Sequence, residues 1–270
     1  MRDAIIQIDN VDVEYSTGNG LTRRVLHRFN LEIERGEFVS IVGQTGCGKS
    51  TLLRLVLGEQ KATRGRVLVD GHERSQPDRY CGYVPQKYSL FCDKTVLDNI
   101  TFGPDVAEFG PFPFFHPSRR KRMREFRAEA MQFLKRIGLD ESDAHKYPHQ
   151  LSGGMQQRVA IAQALIMQPP VLLMDEVFSA LDPATRKDMQ HLIHELWRQS
   201  GTTVLFVTHN TREAVCLGTR VIALGGPTVR DIAVPHIDFD SDSFELDAIV
   251  HEIESSHVKT ERQQFAFSTK

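Results

Sequence analysis

A chain of 270 residues with 40% hydrophobic residues can build one large domain or two modest ones around a substantial core. Its formal net charge of −2 gives no global argument for a nucleic-acid partner or an anionic membrane surface. The four cysteines (Cys47, Cys81, Cys92, Cys216) show no C-x-x-C spacing, which argues against a zinc site or a disulfide framework and for a reduced, cytosolic setting. The opening Met1-Arg2-Asp3-Ala4 lacks the long apolar core of a signal peptide. Val11, Val13 and Tyr15 then alternate with Asp12 and Glu14, a strand pattern with one apolar face. A turn is expected at Gly18-Asn19-Gly20, and Leu31 and Ile33 alternate again before a turn at Arg35-Gly36-Glu37. The β-prone run Phe38-Val39-Ser40-Ile41-Val42 leads into a glycine-rich segment. A helical pattern with Leu52, Leu53, Leu55 and Val56 follows and stops at Gly58. Residues 65–69 read as a strand ended by Asp70-Gly71.

The character changes after Gln86. Residues 95–102 predict a short helix or turn, and residues 103–117, rich in Pro, Gly and Phe, predict an irregular loop. Residues 118–137 predict a helix with Phe126, Met131, Phe133, Leu134 and Ile137 facing inward and Gly138 as its stop. Its basic run Arg119-Arg120-Lys121-Arg122 reads as a solvated face, because no aromatic platform accompanies it. Strand and helix then alternate. Residues 155–167 are helical and closed by Pro169-Pro170, and residues 171–174 are a buried strand. Residues 186–199 are helical, and residues 204–207 form another buried strand. Short apolar runs separated by helices predict a parallel sheet with crossovers, hence an α/β fold. Such runs are also too short to cross a bilayer, so any membrane segments must come from another chain. Residues 226–270 form a polar tail with one strand and one short helix at 244–253. Its Asp238-x-Asp240-x-Asp242 looks like the start of a calcium loop. Ser243 at the turn-glycine position and Ile249 at the bidentate-glutamate position reject that reading.

Gly43-Gln44-Thr45-Gly46-Cys47-Gly48-Lys49-Ser50 matches the phosphate-loop pattern G-x-x-x-x-G-K-[ST], in the strand–turn–helix context that the chemistry needs. Backbone N–H groups of such a turn converge on one anion. Lys49 can reach the β- and γ-phosphates, and the Ser50 hydroxyl can ligate Mg²⁺. Cys47 is either a small filler or a thiol at a helix N-terminus whose modification blocks nucleotide. In open parallel sheets ligands sit at the carboxyl ends of strands. Two further buried strands end in Asp175-Glu176 and in Thr208-His209. Asp175 can hold Mg²⁺ through a water, Glu176 can take a proton from an attacking water, and His209 can hydrogen-bond a γ-phosphate. A second anion site is written in Leu151-Ser152-Gly153-Gly154-Met155-Gln156-Gln157-Arg158, where Ser152 is a natural N-cap and two glycines bare the amides. One nucleotide does not need two such sites in one chain. Two chains placed head to tail do, with nucleotide at each seam.

These residues resemble the ATPase subunit of an ABC transporter, over about residues 4–225. Gly43 to Ser50 resemble its Walker A loop, residues 151–158 its LSGGQ-type signature, and residues 171–176 its Walker B strand with the catalytic glutamate. Ser179-Ala180-Leu181-Asp182 resembles the D-loop, Gln86 the Q-loop glutamine, His209 the switch histidine and Tyr15 the aromatic that stacks on adenine. The resemblance implies a P-loop NTPase of the ABC ATPase type: a mixed-sheet core, an antiparallel β subdomain and a helical subdomain. It implies an ATPase domain at 1–225 (core 1–86 and 155–225, helical subdomain 87–154) and a C-terminal extension at 226–270. It implies ATP and Mg²⁺, with Lys49, Glu176 and His209 catalytic. Ser50, Gln86 and Asp175 stand at the metal. Gly43, Gln44, Thr45, Gly46, Cys47, Gly48, Lys49, Ser50 and Thr51, with Tyr15, Gln86, Ser152, Gly153 and Gly154, line the nucleotide.

The partners implied are a second copy or a paralogous ATPase, transmembrane permease subunits docking near the Q-loop, and indirectly a solute-binding protein, with no nucleic acid. The location implied is the cytoplasmic face of the plasma (inner) membrane, held there by the permease. The wording of the signature, the Ser-Ala-Leu-Asp-Pro segment and Thr208-His209-Asn210-Thr211-Arg212-Glu213-Ala214-Val215 resembles importers of the nitrate, sulfonate and taurine type. Val177 stands where proline usually follows the glutamate, and Ser179 where that subtype often has glycine. An ATPase for lipid handling or export remains the alternative. A soluble family member acting in DNA repair or translation usually carries fused cassettes or coiled-coil insertions, and this chain has neither.

Overall fold

The computed structural model describes residues 3–17, 21–87, 89–110, 118–225, 230–234 and 246–255. The Gly18-Asn19-Gly20 turn, residues 111–117 of the Pro/Phe-rich stretch and the Asp238-x-Asp240-x-Asp242 run lie outside the described residues. Chain order runs β1 (Ala4–Thr17), β2 (Leu21–Glu34), β3 (Phe38–Gly43), α1 (Lys49–Leu57), β4 (Arg64–Val69), β5 (His72–Glu73), β6 (Cys81–Val84), α2 (Val96–Phe109) and α3 (Arg119–Arg136). It continues α4 (Gly153–Leu165), β7 (Val171–Asp175), α5 (Pro183–Ser200), β8 (Thr203–Val207), α6 (Thr211–Leu217), β9 (Arg220–Leu224) and β10 (Arg230–Ala233).

Two sheets result. A four-stranded antiparallel sheet has the order β2-β1-β4-β5, and a six-stranded sheet has the order β10-β9-β3-β8-β7-β6. In the larger sheet β9, β3, β8, β7 and β6 run parallel, and β10 adds an antiparallel edge. β7 and β8 are buried on both faces, which is why residues 171–174 and 204–207 read as unbroken apolar runs. Leu172 and Met174 of β7 face the core under the helices, while Val171 and Leu173 face the core shared with α1 and the antiparallel sheet. A third cluster joins β9, α6, Val234 and the helical residues 246–255 through Leu246 and Ile253.

Three local expectations need correction. The polar face predicted for β1 is not uniformly wet: Asp12 is buried, with its Oδ1 2.8 Å from the Arg28 N–H and 2.9 Å from His27 Nδ1. Register shifts on either side of Val11 and after Val13 break the alternation, and Tyr15 ends exposed while Val11 and Val13 are buried. The Arg28 N–H and His27 hold the Asp12 carboxyl below the ordinary range. The second correction concerns residues 103–109, which continue α2 rather than starting a loop. Gly103-Pro104 reads as a breaker, but Ile100, Pro104 and Phe109 are buried and tertiary packing overrides propensity. The third concerns the basic run, which is partly a helix seam. Arg119 reaches Asp105 at 2.7 Å and Arg122 reaches Glu108 at 2.8 Å, tying α3 to α2.

Candidate active site

β3, β8 and β7 lie side by side, with Ile41, Val207 and Asp175 in register across them. Their carboxyl ends therefore deliver the glycine-rich loop, Thr208-His209 and Asp175-Glu176 to one edge of the sheet. α1 begins at Lys49 after Gly48, whose φ is 109°, and no side chain caps it. With no acidic residue in the first turn either, its leading N–H groups are open to an anion. A side chain at residue 48 would also meet Val25 Cγ1 at 3.0 Å, because β2 passes over the loop. Lys49 is buried and donates to the carbonyls of Gly43 at 2.6 Å and Gln44 at 3.0 Å. A charged phosphate oxygen within the same reach is the stronger acceptor by about twofold.

The loop opens on a cleft of about 390 Å³ lined by Thr45, Gly46, Ser50 and Thr51 together with Tyr15 and Glu176. A larger cavity, about 570 Å³, lies among the C-terminal ends of α3, α4 and α5 and contains none of the predicted site residues. Tyr15 is exposed, and its hydroxyl is anchored by Gln60 Oε1 at 2.6 Å and Thr51 Oγ1 at 3.2 Å. The ring is thus held by its hydroxyl end at an exposed position on the border of the cleft.

Glu176 leaves β7 at φ 48°, a conformation that costs a residue with a side chain about 1–3 kcal/mol. Its N–H donates to Val207 O at 2.9 Å, so β8 enforces the bend. The bend brings Glu176 Oε2 to 3.0 Å from Gln86 Nε2 and 3.4 Å from His209 Nδ1. Gln86 also donates to Ser179 Oγ at 3.3 Å. Asp175 is half-buried beside the Ser50 hydroxyl; burial raises its carboxyl, and the bond from Ser50 opposes the rise. No cluster of three or more His, Cys, Asp or Glu side chains fit for a metal exists among the described residues. The Ser50 hydroxyl and the Asp175 carboxylate instead lie together as a sparse, hard oxygen pair, while Gln86 directs its amide nitrogen to Glu176 and Ser179. That oxygen pair fits Mg²⁺ completed by substrate phosphates and water.

Residues 152–154 stand apart. Ser152 caps α4, accepting the Met155 N–H at 3.3 Å, and both Ser152 and Gly153 are exposed. Gly154 packs so closely on α5 that a Cβ there would lie 2.5 Å from Thr185 Cγ2. None of the three borders the cleft at the phosphate loop.

Cys47 behaves as the filler rather than the activated thiol. A Cβ on Gly43 would lie 2.7 Å from its Sγ, and burial pushes the thiol up against the pull of Lys49. Iodoacetamide should therefore label Cys47 slowly near neutral pH, after exposed Cys92, and faster as pH rises past about 8.5, the ordinary thiol value. Mass-spectrometric labelling at equal rates for both thiols at neutral pH would contradict this.

Arg23, which lines the cleft, and Gln60, which contacts Tyr15, carry no motif. Arg23 pairs across the strands with Tyr15 and donates to Gly46 O at 3.3 Å. Gln60 fixes the Tyr15 hydroxyl. Only the strand register could have pointed to Arg23, and the sequence shows no signal for Gln60.

The arrangement is that of a nucleotide site, and known proteins agree. A family model described as ABC transporter matches residues 26–179. The taurine import ATP-binding protein TauB of Rhizobium johnstonii is 39% identical over 235 residues, covering 87% of this chain and 85% of that protein. The nitrate import ATP-binding protein NrtD of Synechococcus elongatus is 38% identical over 239 residues, covering 88% and 83%. The dimeric post-hydrolysis state of the ATP-binding cassette MJ0796, bound to ADP and Pi, superposes with a TM-score of 0.71 at 34% identity, covering 86% of this chain and 100% of that one. With a phosphate loop, paired carboxylates and a histidine on three adjoining strand ends, this chain belongs to the ABC transporter family as one of its ATP-hydrolysing cassettes.

Proposed function

We propose that this chain is the energy-coupling ATPase of an importer for a small anion, of the kind that taurine and nitrate represent. Among the described residues no helix is long and apolar enough to cross a membrane. The proposal therefore gives the membrane path to permease subunits that hold this chain at the cytoplasmic face, with a solute-binding protein delivering the anion to them. In this reading Tyr15 stacks on adenine and the amides of residues 43–51 cradle the phosphates. Lys49 exchanges its carbonyl partners for β- and γ-phosphate oxygens. Ser50, Asp175 and Gln86 would hold Mg²⁺, which when bound neutralises phosphate charge. Glu176 takes the proton of the attacking water, and His209 hydrogen-bonds the γ-phosphate.

The separation of residues 152–154 from the cleft carries the dimeric part of the proposal. Each protomer offers a cradle for one ATP and, on its helical segment 87–154, a lid for its partner's. The γ-phosphate supplies the differential contact that favours the closed pair. Release of product reopens it and moves the permease. A strain lacking this protein should lose uptake of labelled taurine or nitrate and regain it with the wild type but not with Glu176→Gln. Unchanged uptake of both anions in that strain would overturn the substrate assignment.

A further inference from the structure

His209 is presented by a turn that is tied down on both sides. Thr208 is buried, donates its hydroxyl to Glu213 Oε2 at 2.8 Å, and accepts the Asn210 N–H at 3.1 Å. Asn210 in turn caps α6 by accepting the Glu213 N–H at 3.2 Å. Residues 208, 210 and 213 thus close a small ring of hydrogen bonds around residue 209. The His209 side chain itself is 60% exposed, so its own packing does little to orient it. The ring fixes the backbone that carries it, and the side chain's own contact is Glu176 Oε2, 3.4 Å from Nδ1.

Glu213 is also a bridge. It is buried, and its second carboxylate oxygen faces Arg186, with Nε 3.6 Å from Oε1. Arg186 Nη2 donates to Leu181 O at 2.9 Å, inside the 179–182 turn that starts α5. The Ser179 N–H of that turn donates to Glu176 O at 3.1 Å, and the Ser179 hydroxyl accepts from Gln86. Arg186 Nε is buried without a hydrogen-bond partner, so the contact with Glu213 is close but not complete. Beside it lies a cavity of about 410 Å³ bordered by Lys187, Asn210 and Arg212. A small shift of the 179–182 turn would draw Arg186 toward Glu213 or away from it.

We infer that Glu213 is a positioning residue for His209, and that the Arg186–Glu213 pair couples the 179–182 turn to the placement of that imidazole. The inference rests on the reading of His209 as the group that meets the γ-phosphate. Ser179 and Ala180 of the turn are exposed, so a partner protomer seated there would set His209 through Arg186 and Glu213. Placement matters because a misfit of about 1 Å in a reacting constellation can cost about 10²-fold in rate.

The test is steady-state ATP hydrolysis by the full chain, with kcat and KM read separately. Glu213→Ala should lower kcat about tenfold with KM unchanged, since the cradle at residues 43–51 is untouched. Glu213→Gln should recover most of the loss, because its amide oxygen still accepts from Thr208. Glu213→Ala added to His209→Ala should slow the enzyme no further than His209→Ala alone. Thr208→Val removes the same hydroxyl bond at nearly constant shape. It should reproduce the kcat loss and stands in if Glu213→Ala fails to fold. Arg186→Met should lower kcat in the wild type and add nothing to Glu213→Ala. Normal kcat in Glu213→Ala or Thr208→Val overturns the inference if His209→Ala is slow, and so does a further tenfold loss in the double variant. Normal turnover by His209→Ala would instead remove the reading of that histidine.

Discussion

Glu176→Gln is expected to abolish turnover while ATP stays bound. The substitution keeps the size of the side chain and an oxygen that can still accept from Gln86 Nε2, now 3.0 Å from the carboxylate. It removes only the ability to take a proton. Loss of a positioned general base typically costs about 10²–10⁴-fold in rate. Lys49, Ser50 and Tyr15 remain intact, so equilibrium ATP affinity should hold. With the γ-phosphate preserved, the closed pair should persist, and size exclusion should show an ATP-dependent dimer that dissolves when nucleotide is removed. Normal turnover would show that the base lies elsewhere, and the nearest other candidate is His209, 3.4 Å from the same carboxylate oxygen. Parallel kinetics on His209→Ala separate the two assignments.

The parts of this site that were legible in the sequence are those whose geometry is local. A phosphate loop is one turn between one strand and one helix, so the residues between Gly43 and Ser50 carry it by themselves. The buried runs of β7 and β8 were legible because a parallel sheet covered on both faces demands continuous apolar residues. Their polar ends then stood out as Asp175-Glu176 and Thr208-His209. What could not be read locally was set by pairing across the fold. Arg23 reaches the loop only because β2 lies in register with β1, and Gln60 reaches Tyr15 from beyond the end of α1. The bend at Glu176 comes from its hydrogen bond to β8, which lies 31 residues further along the chain at Val207. The bulges of β1 bury Asp12 against its apparent pattern, because Arg28 and His27 supply partners that no window around residue 12 contains. Helix α2 runs through Pro104 for the same kind of reason: its buried face outweighs an unfavourable residue.

Ser152→Arg should separate nucleotide binding from hydrolysis. Ser152 caps α4 and is exposed, so the substitution removes a cap worth about 1 kcal/mol and places a long cation on an outward helix end. The cleft around Lys49, Ser50 and Tyr15 does not include that position, so a lone protomer should bind ATP as the wild type does. Hydrolysis should fall by about 10²-fold or more, the scale seen when a donor to developing charge is lost. Lys49→Ala should fail for the opposite reason, by losing the cation that meets the phosphates while its own α4 terminus stays sound. The two dead proteins then make a discriminating mixture. A head-to-tail pair of one Ser152→Arg chain and one Lys49→Ala chain contains one site with both defects and one site with neither. Random pairing at equal concentrations should restore up to about a quarter of the wild-type rate. A site completed within a single chain allows no such recovery. If both variants are folded and Ser152→Arg binds ATP, yet the mixture stays inert, the seam between protomers is not where the triphosphate is cleaved.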